Sequence, residues 1–386
     1  MKPTVSFFPT LPSPVPAVGR YRQLAPRAAI HVSPLCLGGM SIGDKWAAVG
    51  FGAMDKESSF KLLDAYFEAG GNFIDTASNY QDGSSEAFIG EWMQERGIRD
   101  QIVLATKYTN STKRADPTIK TQANYVGNNL KNLRISVANS LKLLNTDYID
   151  ILYVHYWDLH SSVEEIMDGL HQLVLAGKVL YLGISDAPAW FVVKANDYAK
   201  YTGKTPFVVY QAAYSVVERD IEREILPMCR HEGIALTLWN VLAGGHIRTD
   251  ADEEARSISG EKGRSLLGDW QRNESEKKMC AALEKVAEQV GAKHITAVAI
   301  AYTMHKAPFV FPIIGGRKVE HLQANSEALS ISLSPEQVKF IDDVLPFDVG
   351  FPAKLIGQYG TYPWLLTAFA HFDIQPLQAS IPHGQQ

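Results

Sequence analysis

The feature that most constrains this chain is an alternation. From Leu35 onward, short apolar runs rich in β-branched residues take turns with longer stretches of helical periodicity. The apolar runs fall at 35–37, 72–75, 102–106, 149–155, 179–185, 207–211, 235–239 and 309–314. Amphipathic stretches lie between them at 56–69, 85–96, 125–144, 163–176, 188–201, 221–231 and 276–305. Eight β/α units predict an α/β fold, a closed (β/α)8 TIM barrel, because closure removes both edges of a parallel sheet while the helices cover its outside. An open doubly wound sheet is the rival. It usually carries G-x-G-x-x-G after its first strand, and here Gly38-Gly39-Met40 follows that strand with no such motif anywhere.

The chain's 386 residues leave room around the barrel, whose core should span about 32–345 of a single domain covering 1–386. Residues 1–20 read as a proline-rich extended arm. Residues 21–24 and 29–32 flank a turn at Pro26, a hairpin placed to plug the barrel bottom. The loop from Ala243 to Trp270, rich in Gly, Ser and charge, is a candidate lid. The tail over 346–386 either wraps the barrel or mediates self-association into a homo-oligomer, and the sequence does not choose.

With 46% hydrophobic and 20% charged residues, the chain has material for a large core. Its net charge of −5 and pI near 6.1 give no electrostatic footprint for nucleic acid or anionic lipid. Three scattered cysteines, Cys36, Cys229 and Cys280, point to a reducing compartment. No run reaches membrane-span or signal-peptide length. A cytoplasmic location without membrane partners is the expectation.

In a (β/α)8 barrel, residues just past the C-terminal strand ends share one mouth. Strand two delivers Asp75 and then Tyr80, strand three ends at Lys107, and strand four ends at His155. Carbonyl reduction or alcohol oxidation wants this set, since a proton must move at oxygen while a hydride moves at carbon. A phenol is a poor acid at neutral pH. Lys107 should lower the pKa of Tyr80, Asp75 should hold Lys107 charged and aimed, and His155 should orient the substrate oxygen.

At these residues the chain resembles the aldo-keto reductases, over roughly 32–345. Asp75, Tyr80, Lys107 and His155 match that family's tetrad in order and placement. Tyr156-Trp157-Asp158, the long loop and the aromatic tail are similar to fungal aryl-alcohol dehydrogenases and norsolorinic-acid-reductase-like enzymes. The resemblance implies NADP(H) as cofactor. It implies contacts from Gly39 and Met40 near the ribose, with Asp75 beside them, and from Ser185 and Gln211 to the carboxamide. Trp239 would lie under the nicotinamide, and Gly315, Arg317, His321 and Asn325 would hold the adenosine phosphate end. Asp186 stands where relatives usually have Asn. Arg317 and Lys318, at a loop-to-helix junction, suit a 2′-phosphate.

The expected function is NADPH-dependent reduction of aromatic or bulky aldehydes and ketones, reversible as aryl-alcohol oxidation, with Tyr80 as proton donor. A ketone reductase of a polyketide pathway is the alternative. An NADP(H)-sensing regulatory subunit of the channel-β type is a second. Met40, Trp46, Tyr80 and Trp157 are candidates to line the substrate pocket, with scattered core aromatics as the competing account. Asp75 with Lys107 reads equally as an ordinary buried ion pair until Tyr80 is considered. Tyr302 and Lys306 show the Tyr-x-x-x-Lys spacing of short-chain dehydrogenases and read as helix-surface residues. No metal-binding motif occurs.

Overall fold

The computed structural model describes residues 11–15, 17–47, 52–114, 116–259 and 270–381. Residues 1–10 and 16 of the arm, 260–269 of the lid loop and the last five of the tail lie outside them.

Two antiparallel strands, β1 (Arg22–Ala25) and β2 (Ala28–Val32), form the hairpin, turning at Pro26-Arg27. Eight parallel strands follow: β3 (Cys36–Gly38), β4 (Phe73–Asp75), β5 (Val103–Tyr108), β6 (Ile149–Val154), β7 (Val179–Ser185), β8 (Phe207–Ala213), β9 (Ala235–Trp239) and β10 (Val310–Ile314). They pair in sequence order, and β10 closes on β3 through Ile313 opposite Cys36 and Ile314 opposite Leu37. The expected (β/α)8 barrel is the fold.

Helices α1 (Lys56–Glu68), α2 (Ser84–Arg96), α3 (Leu130–Leu143), α4 (Val163–Leu175), α5 (Ala189–Tyr201) and α6 (Ile225–Glu232) connect successive strands from β3 to β9. Asn129 and Ser162 cap α3 and α4, each accepting a backbone N–H three residues on. The cap at Asn129 starts α3 five residues later than periodicity indicates.

After β9 come α7 (Asp250–Ser259), α8 (Glu274–Val290) and α9 (Ile295–His305). The 276–305 stretch is two helices rather than one. Gly291 ends α8 in the left-handed conformation at φ 70°, where a side chain is strained. Nearly every residue of α9 is buried, as suits a helix covered on all sides. Beyond β10 lie α10 (Val319–Ser326), α11 (Pro335–Val344) and two one-turn helices in the tail, α12 (Ala353–Ile356) and α13 (Trp364–Thr367).

The hairpin fills the bottom of the barrel. Leu24, Ala25, Ala28 and Val32 are buried against Phe73, Val103, Ala235 and Phe311, which sit at the N-terminal ends of their strands. The segment after β9, expected as a continuous loop, carries α7, and it is tied at its base: Arg248 and Arg272, both buried, each donate to Glu253 Oε2, at 3.0 and 2.7 Å. At the start of the tail, the Phe347 ring lies under the guanidinium groups of Arg219 and Arg223. Further on, Phe351, Trp364 and Phe369 are exposed, while Tyr359 and Leu377 return to a recess beside Pro26 and Phe309.

Candidate active site

The strand ends meet as their order requires. Asp75 closes β4 and Lys107 lies in β5, the neighbouring strand, so their side chains reach one another inside the rim. Lys107 Nζ donates to Asp75 Oδ2 at 2.5 Å, to the Thr76 carbonyl at 2.8 Å and to the Tyr80 hydroxyl at 3.5 Å. All three ammonium protons therefore have acceptors, one of them the phenol. The other oxygen of Asp75 accepts from Gln211 Nε2 at 2.9 Å. Asp75, Lys107 and Gln211 are each at most 4% exposed.

Tyr80 begins a tight 3-10 turn that continues through Gln81 and Asp82, both at left-handed φ of 52° and 50°. Non-glycine residues adopt that conformation only where surroundings enforce it. Here the buried Gln81 side chain does so. It accepts from the Trp46 backbone N–H at 2.8 Å and donates to the carbonyls of Met40 and Gly52 at 2.9 and 2.8 Å. The turn that presents Tyr80 is thereby stitched to the loop after β3.

His155 follows β6 and meets the Tyr80 ring edge to face, centroids 5.9 Å apart. Burial, together with the Lys107 charge, pushes its imidazole down to about 3. It is neutral at physiological pH. Its Nδ1 lies 3.3 Å from Asn110 Nδ2.

The phenol itself departs from expectation. Lys107 does pull its pKa down, yet burial pushes it up more strongly and Asp75 adds to the rise, so Tyr80 stands above an ordinary tyrosine. Loss of hydration outweighs the neighbouring cation. The consequence is a phenol that keeps its proton at neutral pH.

The remaining residues divide. Trp46 lies against Tyr80, ring centroids 6.2 Å apart, and so lines the mouth. Trp157 instead stacks on Phe191 at 4.3 Å and donates its indole N–H to the Ser161 carbonyl, joining a cluster with Trp190. Met40 faces the Tyr80 turn through its carbonyl. Tyr302 and Lys306 are not surface residues. Tyr302 is fully buried and donates to Asp342 at 2.5 Å, and Lys306 reaches the same carboxylate at 3.0 Å and Glu222 at 3.3 Å. Their partners come from distant parts of the chain, which spacing alone cannot reveal. Among the described residues no group of three or more His, Cys, Asp or Glu side chains is placed to hold a metal ion.

Comparison with known proteins bears on this arrangement. The Aldo/keto reductase family matches residues 34–346. The chain belongs to that family. Members of the aldo/keto reductase family are NADP(H)-dependent oxidoreductases. The chain is 59% identical over 374 residues to an aryl-alcohol dehydrogenase [NADP(+)] of Phanerodontia chrysosporium, covering 96% of this chain and 97% of the relative. It is 50% identical over 348 residues to norsolorinic acid reductase A of Aspergillus parasiticus, covering 90% and 87%. An aryl-alcohol dehydrogenase of Pestalotiopsis microspora is 48% identical over 390 residues, covering 98% and 97%.

The rim residues of this aldo/keto reductase fit a dinucleotide phosphate. Ser185 and Gln211 are opposite one another in the β7–β8 pairing, and both are buried at the mouth. Gln211 spends its amide N–H on Asp75, so it links this position to the tetrad. Asp186 follows at a left-handed φ of 44° and accepts from the Trp239 indole N–H at 3.4 Å. Gly39 is closely packed: its N–H donates to the Asp75 carbonyl at 2.7 Å, and a Cβ would lie a tight 3.1 Å from that oxygen. Past β10, Gly315, Arg317, Lys318 and His321 are exposed at the start of α10, whose first turn no side chain caps. A helix N-terminus with two cations beside it has the chemistry to suit an anion. Asn325 is buried on the same helix.

Proposed function

We propose that this protein is an NADPH-dependent carbonyl reductase that also runs in reverse as an aryl-alcohol dehydrogenase, acting on aromatic or bulky aldehydes and ketones. The single observation that carries the reading is Lys107 Nζ set between Asp75 Oδ2 and the Tyr80 hydroxyl, with neutral His155 against the phenol ring. An ordinary ion pair has no use for the third and fourth members. Bound NADPH would supply the hydride, held by Ser185, Gln211 and Trp239 at one end and Arg317, Lys318 and the α10 N-terminus at the other.

In reduction, the carbonyl oxygen lies between Tyr80 and His155. His155 donates an N–H bond to it without carrying charge, which orients the carbonyl and polarises it. Tyr80 gives its proton to the same oxygen as charge builds there, and the Lys107 ammonium stabilises the phenolate left behind. Asp75 and Gln211 keep Lys107 aimed. Oxidation of an alcohol reverses these steps.

The aromatic preference is supported by Trp46 at the edge of Tyr80 and by the names of the relatives from Phanerodontia chrysosporium and Pestalotiopsis microspora. The norsolorinic acid reductase relative favours a second reading, a pathway ketone reductase. The test is NADPH oxidation by the purified protein across aliphatic aldehydes, aryl aldehydes and polycyclic ketones. Fastest turnover on aryl aldehydes supports the first reading, and activity confined to polycyclic ketones the second. Cofactor binding without turnover of any carbonyl would sink both.

A further inference from the structure

Thr109, two residues beyond Lys107, has φ 118°. A β-branched residue adopts positive φ only under constraint, and such strain gathers where function requires it. The surroundings over-determine it. The Thr109 carbonyl accepts from the Gly127 N–H at 2.8 Å and from Asn132 Nδ2 at 3.1 Å, and its hydroxyl bonds Asn128 Nδ2 at 2.8 Å. Asn128 and Asn132 are both 1% exposed. The same hydroxyl also accepts from the His155 backbone N–H at 3.2 Å.

What this strain accomplishes is the placement of the next residue. Asn110 turns its amide into the mouth, with Nδ2 3.3 Å from His155 Nδ1. The Tyr156 hydroxyl donates to Asn110 Oδ1 at 3.2 Å. The structure turns the amide oxygen to Tyr156 and the nitrogen to His155; a tyrosine hydroxyl can pair with either end of an amide, so it is the tautomer of His155 that tests this orientation. An N–H donor directed at Nδ1 makes that atom an acceptor, so the imidazole proton must sit on Nε2.

We propose that Asn110 is a positioning residue that selects the Nε2–H tautomer of His155, and that Thr109, clamped by Asn128 and Asn132, holds it in place. The proposal rests on the tetrad reading above and deepens it, since only the Nε2–H form donates to a carbonyl oxygen while Asn110 occupies Nδ1. Tyr156, which sequence similarity marks only as part of a motif, becomes the outer end of this relay.

The experiment is long-range 15N–1H correlation on histidine-labelled protein, with His155 assigned by its loss in His155→Gln. The wild type should show a protonated Nε2 and a bare Nδ1. In Asn110→Asp, whose carboxylate only accepts, a proton should appear on Nδ1. Asn110→Leu should lower kcat for an aryl aldehyde on the order of a hundredfold, with NADPH affinity unchanged. A wild-type proton on Nδ1, or an unaltered pattern in Asn110→Asp, would overturn the proposal, and the wild-type spectrum decides even if a variant fails to fold. A wild type with the expected tautomer that reduces no carbonyl would instead overturn the functional reading and leave this assignment standing.

Discussion

Gln211 donates to Asp75 Oδ1 at 2.9 Å across 136 positions of sequence, from the sixth barrel strand to the second. One amide thus joins the side of the mouth that should grip the cofactor to the carboxylate that aims Lys107. Gln211→Leu is expected to reduce kcat and weaken NADPH binding together, each on the order of tenfold, since loss of a buried bond to a charged group costs about 1.5–3 kcal/mol. Steady-state kinetics with a separate cofactor titration measures both. A change in one alone would break the link.

Tyr80→Phe removes the proton and little volume. Turnover in either direction should fall by about 10²–10⁴, while NADPH titration remains at the wild-type value. Wild-type turnover in this variant would remove Tyr80 from the chemistry.

Arg317→Ala tests the anion site at α10. NADPH affinity should drop roughly tenfold to a hundredfold, as for a lost charge-assisted bond, and NADH affinity should barely change. Equal losses for both cofactors would show that Arg317 does not read the 2′-phosphate.

Asp186 brings a pH dependence of its own. Asp186 is exposed at the mouth, yet the protein crowded around it strips enough hydration to push its carboxyl up to about 6, against the pull of the Trp239 bond. Below that pH it is neutral; above it a negative charge stands beside the position proposed for a cationic oxidised nicotinamide. Affinity for NADP+ relative to NADPH should therefore rise by about tenfold as pH increases through 6, and Asp186→Asn should flatten the profile. His155, neutral throughout that window, should contribute no limb.

Glu86 on α2 is fully buried below the tetrad. Oε1 accepts from the Thr106 hydroxyl at 2.6 Å, and the nearby Ser140 hydroxyl eases the carboxylate only in part. Burial raises its carboxyl to about 7, so the folded state binds this proton more tightly than the unfolded chain. Its ionisation penalty is absent below the unfolded value, grows as pH rises between about 4.5 and 7, and is complete above. The stability of Glu86→Gln relative to wild type should thus improve by about 2 kcal/mol between pH 5 and pH 8. Paired chemical denaturation at the two pH values gives that difference, and a constant offset would refute it.

Much of this architecture is legible in sequence because burial writes itself into composition. Strands 179–185 and 235–239 emerge with the residues expected, since parallel strands covered on both faces read as continuous apolar runs. Asp75, Lys107 and His155 sit at or just past strand ends, where topology brings them together, whereas Tyr80 reaches them from a turn that the Gln81 side chain holds. The helical run 276–305 hides its break because Gly291 is one residue whose backbone angle, rather than its polarity, ends the helix. Gln81 and Asn110 are polar residues in loops, indistinguishable from solvated ones until the fold shows what they face. Tyr80 is the sharpest case: sequence names its charged neighbours, but only the packed structure shows that lost hydration outweighs the pull of Lys107 on a half-buried phenol.

The hairpin at the barrel bottom separates two demands that many enzymes must reconcile in one place. Leu24, Ala25, Ala28 and Val32 seal the end of the tube opposite the mouth, where no reacting group is found. Substitutions that tighten this seal should add thermal endurance without touching turnover. A directed-evolution effort can therefore harden this end first and then spend the gained tolerance on reshaping the loops that meet the substrate.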